Sequence, residues 1–303
     1  MARPVAFLDS GVGGIPYCDH FRRRNPGEPF VYVADRRHFP YGNRSREDLV
    51  AILTALIGDL VKAADPKLLV LACNTATVSA LPELRRRFPG LPFVGTVPAV
   101  KPAAMRTKTG KVGVLGTGRT IGDPYIAALA ARYGKGCAVE GIAAPELVEL
   151  VEFRRGGTDR EARLAAVRPY ITRFREAAAD SVVLGCTHFL FLVDEFRAEA
   201  SPDITIYDSM EGITSRVESL LDAEGGRLRA PGTFAGGPRG VGGGVFAGDG
   251  GLRSGAEDGI STGEESGLFV VTEETGLASW RDQAIALGAR FCTLDDLKAR
   301  GGS

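Results

Sequence analysis

Two cysteines stand in matched sequence contexts that suit proton transfer. Cys73 follows the apolar run Leu68–Ala72 and Cys186 follows Ser181–Gly185, and polar residues come directly after each cysteine. A thiol that ends a strand and precedes a helix lies at the positive end of the helix dipole, which favours the thiolate. Because an ordinary thiol is only a few per cent ionised at neutral pH, a cysteine that acts as a base needs such help. The pair therefore indicates two groups able to accept or donate a proton.

Metal binding and simple burial are the ordinary alternatives for such thiols. Cys186 and His188 supply at most two metal ligands, and the sequence contains no CxxC or HxxxH group, so a zinc site is not expected. A lone cysteine at a strand end would be interpreted as buried, but the repeated context favours function. The wide scatter of all five cysteines favours a reducing cytoplasm over a disulfide framework. Three cysteines lack these surroundings and are predicted to be inert: Cys18, Cys137 and Cys292.

Strands and helices alternate along the chain from residue 5 to about residue 224. Short apolar runs are separated by longer amphipathic stretches, such as Arg46–Ala64, for which Ser45 and Asp48 form a capping signal, and Arg160–Ala179. This alternation predicts an α/β fold with largely parallel sheets flanked by helices. The predicted strands are Val5–Leu8, Phe30–Ala34, Leu68–Ala72, Phe93–Gly95, Val112–Leu115, Val139–Ala143, Ser181–Gly185 and Ile204–Tyr207.

The two halves of this region resemble each other. The run Val5–Gly11 echoes Val112–Gly118, and Leu68–Thr75 echoes Ser181–His188. The repeat predicts two similar, pseudo-symmetric domains. Ligands of parallel α/β sheets bind at the carboxyl ends of the strands, where both cysteines are placed. We therefore expect an active site in the cleft between the domains.

The predicted boundaries divide the chain into four parts. Residues 1–100 together with about 208–224 form the first α/β domain, and residues 101–207 form the second. The glycine-rich residues 225–267 are interpreted as a flexible linker or insertion. Residues 268–303 are expected to form a small piece that packs on the body, with a strand and then a helix, Leu268–Val271 and Ala278–Leu287.

The composition is that of an ordinary globular protein. Its 303 residues include 37 basic and 37 acidic side chains, so no global basic field argues for nucleic acid or an anionic membrane as the main partner. The apolar run Val5–Leu8 is too short for a signal-peptide core or a membrane span. We therefore expect a cytoplasmic protein.

Four motifs, in this order and spacing, resemble the hallmark motifs of glutamate racemases, within the aspartate/glutamate racemase family. The resemblance covers about residues 5–224, with a weaker echo near 268–297. Any one motif is suggestive, whereas four in order are highly specific. The motifs are Leu8–Gly14, Asp35 with Pro40–Gly42, Ala72–Ala76 and Leu184–His188.

The resemblance implies a 1,1-proton transfer at the α-carbon of glutamate, without pyridoxal phosphate, metal or nucleotide. In the family, the cysteine that matches Cys73 deprotonates the D-enantiomer, and the one that matches Cys186 deprotonates the L-enantiomer. Asp9 and His188 match residues that assist the first and the second cysteine, and Glu152 matches an acidic residue near the second. An acid and a base on opposite faces of one carbon can exchange roles between the two directions.

The resemblance also implies the substrate contacts and the biological role. Hydroxyls, amides and backbone N–H groups suit the two carboxylates of glutamate. In a bacterial cell, D-glutamate would feed peptidoglycan synthesis, and so cell wall biogenesis and cell shape. A homodimer is one assembly that the resemblance allows. The implied substrate-binding residues are Asp9, Ser10, Tyr41, Gly42, Asn74, Thr75, Thr187 and His188, with Asp35, Thr117 and Thr120 as auxiliary residues.

Some of these residues also have a purely structural interpretation. Asp9 could be a helix N-cap, because its position before a predicted helix allows that role. Glu152 could be a solvated charge on a helix face, since acidic helix residues are usually exposed. Pro40–Gly42 could be only a turn.

Other functions stay open from the sequence alone. The nearest is a racemase of the same superfamily that acts on aspartate or another substrate, although aspartate racemases usually carry Glu where this chain has His188. A dinucleotide-binding protein is a second alternative, because Gly116–Gly118 follows a predicted strand and Glu140 lies about 20 residues on. A non-catalytic regulator is a third.

Overall fold

The strands form two parallel sheets. A computed structural model of the chain describes residues 2–133, 136–154, 157–223, 226, 228, 267–273 and 277–301. The strands are β1 (Val5–Asp9), β2 (Phe30–Ala34), β3 (Leu68–Leu71), β4 (Phe93–Gly95), β5 (Lys111–Gly116), β6 (Ala138–Ala143), β7 (Ser181–Leu184), β8 (Thr205–Tyr207), β9 (Gly267–Val271) and β10 (Ala289–Thr293).

The order of the strands repeats between the sheets. One sheet has the order β10-β9-β2-β1-β3-β4 and the other has the order β6-β5-β7-β8. Every pair of neighbours is parallel. The segment β2-β1-β3-β4 thus has the same order as β6-β5-β7-β8, so the repeat seen in the sequence is a repeat of topology. The predicted α/β fold with parallel sheets is confirmed.

Helices connect the strands and cover the sheets. Arg46–Ala64 is a helix as predicted, and the Ser45 hydroxyl accepts a hydrogen bond of 3.0 Å from the backbone N–H of Asp48. The helix that begins at Arg160 ends at Glu176, earlier than predicted, because Ala178 adopts a left-handed backbone conformation. The α-helices are α1 (Ile15–Arg24), α2 (Arg46–Ala64), α3 (Asn74–Arg87), α4 (Val100–Arg106), α5 (Gly118–Gly122), α6 (Pro124–Tyr133), α7 (Pro145–Glu149), α8 (Arg160–Glu176), α9 (Val193–Ala200), α10 (Met210–Ala223), α11 (Leu277–Ala286) and α12 (Leu294–Gly301).

The central strands are buried on both faces. All residues of β1, β2, β3 and β7 are buried, which explains why these strands read as continuous apolar runs rather than as alternating ones. One hydrophobic cluster contains side chains of both sheets, for example Phe7 and Leu184. The two lobes therefore share apolar contacts. None of the helices in the described part of the chain is both long and apolar enough to cross a membrane.

The C-terminal residues extend the first sheet. β9 pairs with β2, with Gly267 opposite Phe30, and β10 pairs with β9. The sequence predicted β9 and α11 but missed β10, because exposed Arg290 interrupts its apolar pattern. It also missed α12. The glycine-rich stretch 225–267, predicted to be a flexible linker or insertion, lies outside the described residues except for residues 226, 228 and 267.

Candidate active site

Four strand ends meet at one cavity. β1 ends at Asp9 and Thr117 directly follows β5, whereas Cys73 and Cys186 are the second residues after the ends of β3 and β7. Each sheet thus contributes the carboxyl ends of two neighbouring strands, β1 and β3 in one sheet and β5 and β7 in the other, as expected for a switch point in strand order. Both cysteines line this cavity.

Most of the predicted site residues line this cavity. Asp9, Glu152, Asp35 and Thr120 are not among the residues that line it. The sequence did not single out Phe39 or Val148, which also line it and whose apolar side chains carry no chemical signal in the sequence. The predicted residues that line the cavity are Ser10, Tyr41, Gly42, Cys73, Asn74, Thr75, Thr117, Cys186, Thr187 and His188.

Cys73 is a buried thiol at the N-terminus of α3. Burial, together with the negative charge of Asp9, raises the pKa of Cys73 well above its ordinary value. The backbone N–H groups of Thr75 and Ala76 act in the opposite direction, which is the helix effect that the sequence predicted. That effect is smaller than the effect of burial. At neutral pH, Cys73 therefore holds its proton.

Cys186 contacts an imidazole that is itself bound to a carboxylate. The Sγ of Cys186 lies 3.8 Å from Nδ1 of His188, and Nε2 of His188 lies 2.8 Å from Oε2 of Glu152. Burial alone lowers the pKa of His188, but its hydrogen bonds to Cys186 and Glu152 raise it well above its ordinary value. A protonated His188 stabilises a thiolate at Cys186.

Glu152 is buried, with a side chain that is 1% exposed. The interpretation of Glu152 as a solvated helix charge is therefore wrong. It lies in a π-helical turn, Leu150–Arg154, and such turns often occur at functional sites. Burial acts to raise the pKa of Glu152, but the hydrogen bond to His188 and the charge of Arg36 hold it below its ordinary value. Oε2 also accepts a hydrogen bond of 3.1 Å from the backbone N–H of Val12.

Asp9 connects the two lobes next to the thiols. Its Oδ2 accepts a hydrogen bond of 3.0 Å from the hydroxyl of Thr187, and its Oδ1 accepts one of 2.9 Å from the N–H of Gly11. Burial raises the pKa of Asp9 to about 6. The N-cap interpretation is wrong, because α1 begins at Ile15 and the residue that precedes it is Gly14.

Polar groups without partners point to a ligand. Both the amide nitrogen and the amide oxygen of Asn74 are buried with no hydrogen-bond partner among the described residues, and Asn74 lines the cavity. Buried polar groups are normally paired, so a bound molecule is expected to complete them. Nearby, the hydroxyl of Thr75 lies 3.1 Å from that of Thr117 and 3.5 Å from that of Thr120. These contacts between hydroxyls join one lobe to the other.

Asp35 supports Tyr41 rather than facing the cavity. The hydroxyl of Tyr41 donates a hydrogen bond of 2.7 Å to Oδ2 of Asp35, and the hydroxyl of Thr272 donates one of 2.7 Å to Oδ1. His38 also contacts Asp35, at 2.9 Å. Pro40–Gly42 is therefore more than a turn, because it places a buried Tyr41 in the cavity wall.

No group of three or more His, Cys, Asp or Glu side chains in the described parts of the chain is arranged to hold a metal ion.

The loop Gly116–Gly118, the candidate dinucleotide motif, contributes Thr117 to the lining of the same cavity. Thr117 caps α5 by accepting a hydrogen bond of 3.3 Å from the N–H of Thr120. Its hydroxyl faces Thr75 of the other lobe.

Known proteins with similar sequences are racemases. A family model described as Asp/Glu/Hydantoin racemase matches residues 19–216. The glutamate racemase of Roseiflexus sp. (strain RS-1) is 43% identical over 235 residues, which are 78% of this chain and 85% of that protein. The glutamate racemase of Sphingopyxis alaskensis is 44% identical over 223 residues, which are 73% of this chain and 83% of that protein.

Solved structures give the same result. The crystal structure of Escherichia coli glutamate racemase in complex with L-glutamate and the activator UDP-MurNAc-ala aligns with a TM-score of 0.75 and 30% identity, covering 96% of this chain and 97% of that one. Glutamate racemase isoform RacE1 from Bacillus anthracis aligns with a TM-score of 0.70 and 25% identity, covering 96% of each chain. This chain belongs to the Asp/Glu/Hydantoin racemase family and, within it, to the glutamate racemases.

Proposed function

We propose that this protein interconverts L- and D-glutamate by moving the α-proton between the substrate and two thiols, Cys73 and Cys186, without a cofactor. The observation that carries the proposal is the placement of these cysteines at strand ends of different sheets, lining one cavity. An α-carbon between them would have an acid on one face and a base on the other. Paired groups of this kind are what inversion by proton transfer requires.

The groups that surround the two thiols differ in charge. Cys186 faces His188, which holds a proton, whereas Cys73 is buried near the carboxylate of Asp9 and holds its own proton. We assign Cys186 the role of base and Cys73 the role of acid in the direction that starts from L-glutamate. In that direction, Cys186 as a thiolate removes the α-proton and the thiol of Cys73 delivers a proton to the opposite face. D-glutamate needs the reverse state, in which one proton has moved between the thiols.

Glutamate would be held by neutral donors. The unpaired amide of Asn74 offers both a donor and an acceptor, and hydroxyls of Ser10, Thr75 and Thr187 line the same cavity. Hydrogen bonds from such groups to charged carboxylates are stronger than those between neutral groups. They would stabilise the second negative charge that develops at the α-carboxylate when the α-proton leaves.

We propose a cytoplasmic enzyme that supplies D-glutamate for peptidoglycan, and a homodimer as the first assembly to test, by sedimentation. Growth of a bacterium that depends on added D-glutamate should become independent of it when this chain is expressed.

Circular dichroism of the amino acid tests the activity. Purified protein should drive the signal of L-glutamate and that of D-glutamate to zero, and should leave either enantiomer of aspartate unchanged. Cys73→Ala and Cys186→Ala should each lower the rate by about 10³-fold or more, because each removes one of the two proton-transfer groups. Cys137→Ala, a change outside the cavity, should keep the rate of the wild type.

Three results would contradict the proposal. Full racemisation by either cysteine variant would exclude the paired-thiol mechanism. Racemisation of aspartate at a rate equal to or above that of glutamate would assign the chain another substrate. An absorbance band of bound pyridoxal phosphate would contradict the absence of a cofactor.

A further inference from the structure

Arg36 lies next to the residues that assist Cys186, and the proposed proton transfer gives it no role. It belongs to a 3₁₀ turn, Arg36–His38, that follows β2 in the first lobe. Its Nη1 donates a hydrogen bond of 2.8 Å to Oε1 of Glu152, while the other oxygen of that carboxylate contacts His188. Glu152 is thus shared between a guanidinium and an imidazole.

The pair of Arg36 and Glu152 is shielded from water. The side chain of Arg36 is 15% exposed and that of Glu152 is 1% exposed. Ion pairs on a protein surface are screened and contribute little, whereas the removal of one partner from a buried pair has a large effect. The charge of Arg36 therefore acts on Glu152 at close range and with little screening.

Three aromatic rings hold the guanidinium in place. Its central carbon lies 4.7 Å from the ring centre of Phe39, 5.3 Å from that of Phe153 and 5.6 Å from that of Trp280. These distances are within the range of cation–π interactions. The rings come from the loop after β2, from the π-helical turn and from α11, so the C-terminal residues contribute to the position of Arg36. Phe39 also lines the cavity.

We propose that Arg36 is a positioning residue that fixes Glu152 and sets the net charge behind His188, and so acts on the thiol of Cys186 through that carboxylate and that imidazole. The inference rests on the proposed function for its meaning in catalysis. The charged groups that face His188 are Glu152, Cys186 and Asp9. Of these, Arg36 contacts only Glu152, so its effect on the thiol is transmitted through that carboxylate.

The direction of the effect follows from charge alone. Removal of a positive charge makes every nearby group hold its proton more strongly. Without Arg36, the proton on His188 and the proton on the thiol of Cys186 should both leave at higher pH. A shift of about 0.5–1 pH unit is expected for the loss of one charge near a buried site.

The experiment measures the alkylation of Cys186 by iodoacetamide between pH 6 and pH 10, with each cysteine resolved by peptide mass spectrometry. Since the thiolate is the reactive form, the midpoint of the rate against pH reports its formation. Arg36→Met should raise the midpoint by about 0.5–1 pH unit. Arg36→Lys keeps the charge and should keep the midpoint within about 0.2 pH unit, while racemisation slows because the planar stacking is lost.

Arg37→Met is the matched control. It removes the same charge one residue further on, where the side chain is exposed and its charge is screened, and it should leave the midpoint unchanged. If Arg36→Met does not fold, Arg36→Gln carries the same expectation and keeps a hydrogen-bond donor for Glu152. An unchanged midpoint in the folded neutral variant, or an equal shift in Arg36→Lys, would overturn the proposal.

The alkylation midpoint does not depend on turnover. Failure of the wild-type protein to racemise glutamate would overturn the proposed function and leave this measurement intact. Conversely, if the wild type is active but Arg36→Met has the same alkylation midpoint as the wild type, only the role of Arg36 is overturned. In the active enzyme, the pH profile of kcat/KM should move to higher pH in Arg36→Met by the same amount as the midpoint.

Discussion

Burial decides which single residues hold a proton in this site. It raises the pKa of Asp9 to about 6 and the pKa of Cys73 well above its ordinary value. His188 and Glu152 are exceptions: contacts with Cys186 and Glu152 raise the pKa of His188, and contacts with His188 and Arg36 lower the pKa of Glu152, in each case against the effect of burial. The two thiols therefore differ not in their local sequence, which is alike, but in the charge of the group that each one faces.

Asp9→Asn should separate stability from activity. The pKa of Asp9 is about 6 in the folded protein and 3.8 as the ordinary value, so the folded state binds more protons between these pH values. Stability should then fall as the pH rises through this window, because the buried carboxylate becomes charged. At pH 7.5 the Asn variant should be more stable by about 1–3 kcal/mol, with the difference approaching zero near pH 4. Racemisation should fall by about tenfold or more.

Urea unfolding of both proteins at pH 4 and pH 7.5 measures this difference. Asp48→Asn, an exposed change in the first turn of α2, is the control. The difference in its free energy of unfolding from that of the wild type should be almost the same at both pH values. A less stable Asn variant at pH 7.5 would show that the charged form of Asp9 stabilises the fold, which is the opposite of the expected effect of burial.

The residues of the site were predictable to different extents. Cys73 and Cys186 could be found because each one follows an apolar strand and precedes polar residues, a pattern that is local in sequence. The roles of Asp9 and Glu152 depended on the resemblance, and burial could not be inferred for Glu152 from its helix alone. Arg36 could not be found at all, because its partner lies 116 residues away and neither residue has a distinctive neighbourhood.

At the level of elements, the loop between β1 and α1 lets the lobes approach closely. A side chain added at Gly11 would meet the carboxylate of Glu152, and one added at Gly13 would meet Thr187 and His188. These glycines are explained by the space they leave for the opposite lobe. The 3₁₀ turn that carries Thr187 and His188 therefore packs directly on the backbone of this loop.

Gly13→Ala should disturb this contact. The added methyl group would push on the imidazole of His188, which is buried and bound on both sides, so it cannot move freely. We expect kcat/KM to fall by about 10²-fold, as misplacement of a catalytic group by about 1 Å can produce. The free energy of unfolding should fall by about 1–3 kcal/mol because of overpacking.

Gly58→Ala is a suitable control, since Gly58 lies inside α2 with open space around its Cα. That change should leave kcat/KM unaltered and stabilise the protein by about 0.5–1 kcal/mol. Equal activity of Gly13→Ala and the wild type in steady-state assays would contradict the close packing of the β1–α1 loop on His188.

Elements with a strong local signal were predicted well. The limits of α2 agree with the sequence prediction because Ser45 caps its start and its apolar residues are regularly spaced. β10 and α12 were missed because they are short and only weakly apolar. The pairing of β9 with β2 could not be inferred from local patterns, since it joins residues more than 200 positions apart in the sequence and depends on where a free sheet edge lies.

For the molecule as a whole, the lobes are closed around the site. Contacts between the lobes surround the cavity, including those from Thr187 to Asp9 and from Thr75 to Thr117, and each cysteine is only 7% exposed. In the proposed mechanism, some of these contacts would open to admit glutamate to the thiols. In that mechanism, closure around the substrate would exclude water from the carbanion-like transition state and strengthen the hydrogen bonds to it.

The central claim is that two sulfur atoms act on opposite faces of one carbon. Deuterium incorporation at Cα, measured early in the reaction, tests this claim most directly. L-glutamate is incubated with the protein in D₂O, and the two enantiomers are separated early in the reaction. We predict deuterium at Cα in nearly all D-glutamate formed, while the remaining L-glutamate keeps its proton, and the mirror result when D-glutamate is the substrate. Deuterium in the starting enantiomer at the rate of product formation, or product that retains the original proton, would contradict the two-thiol mechanism.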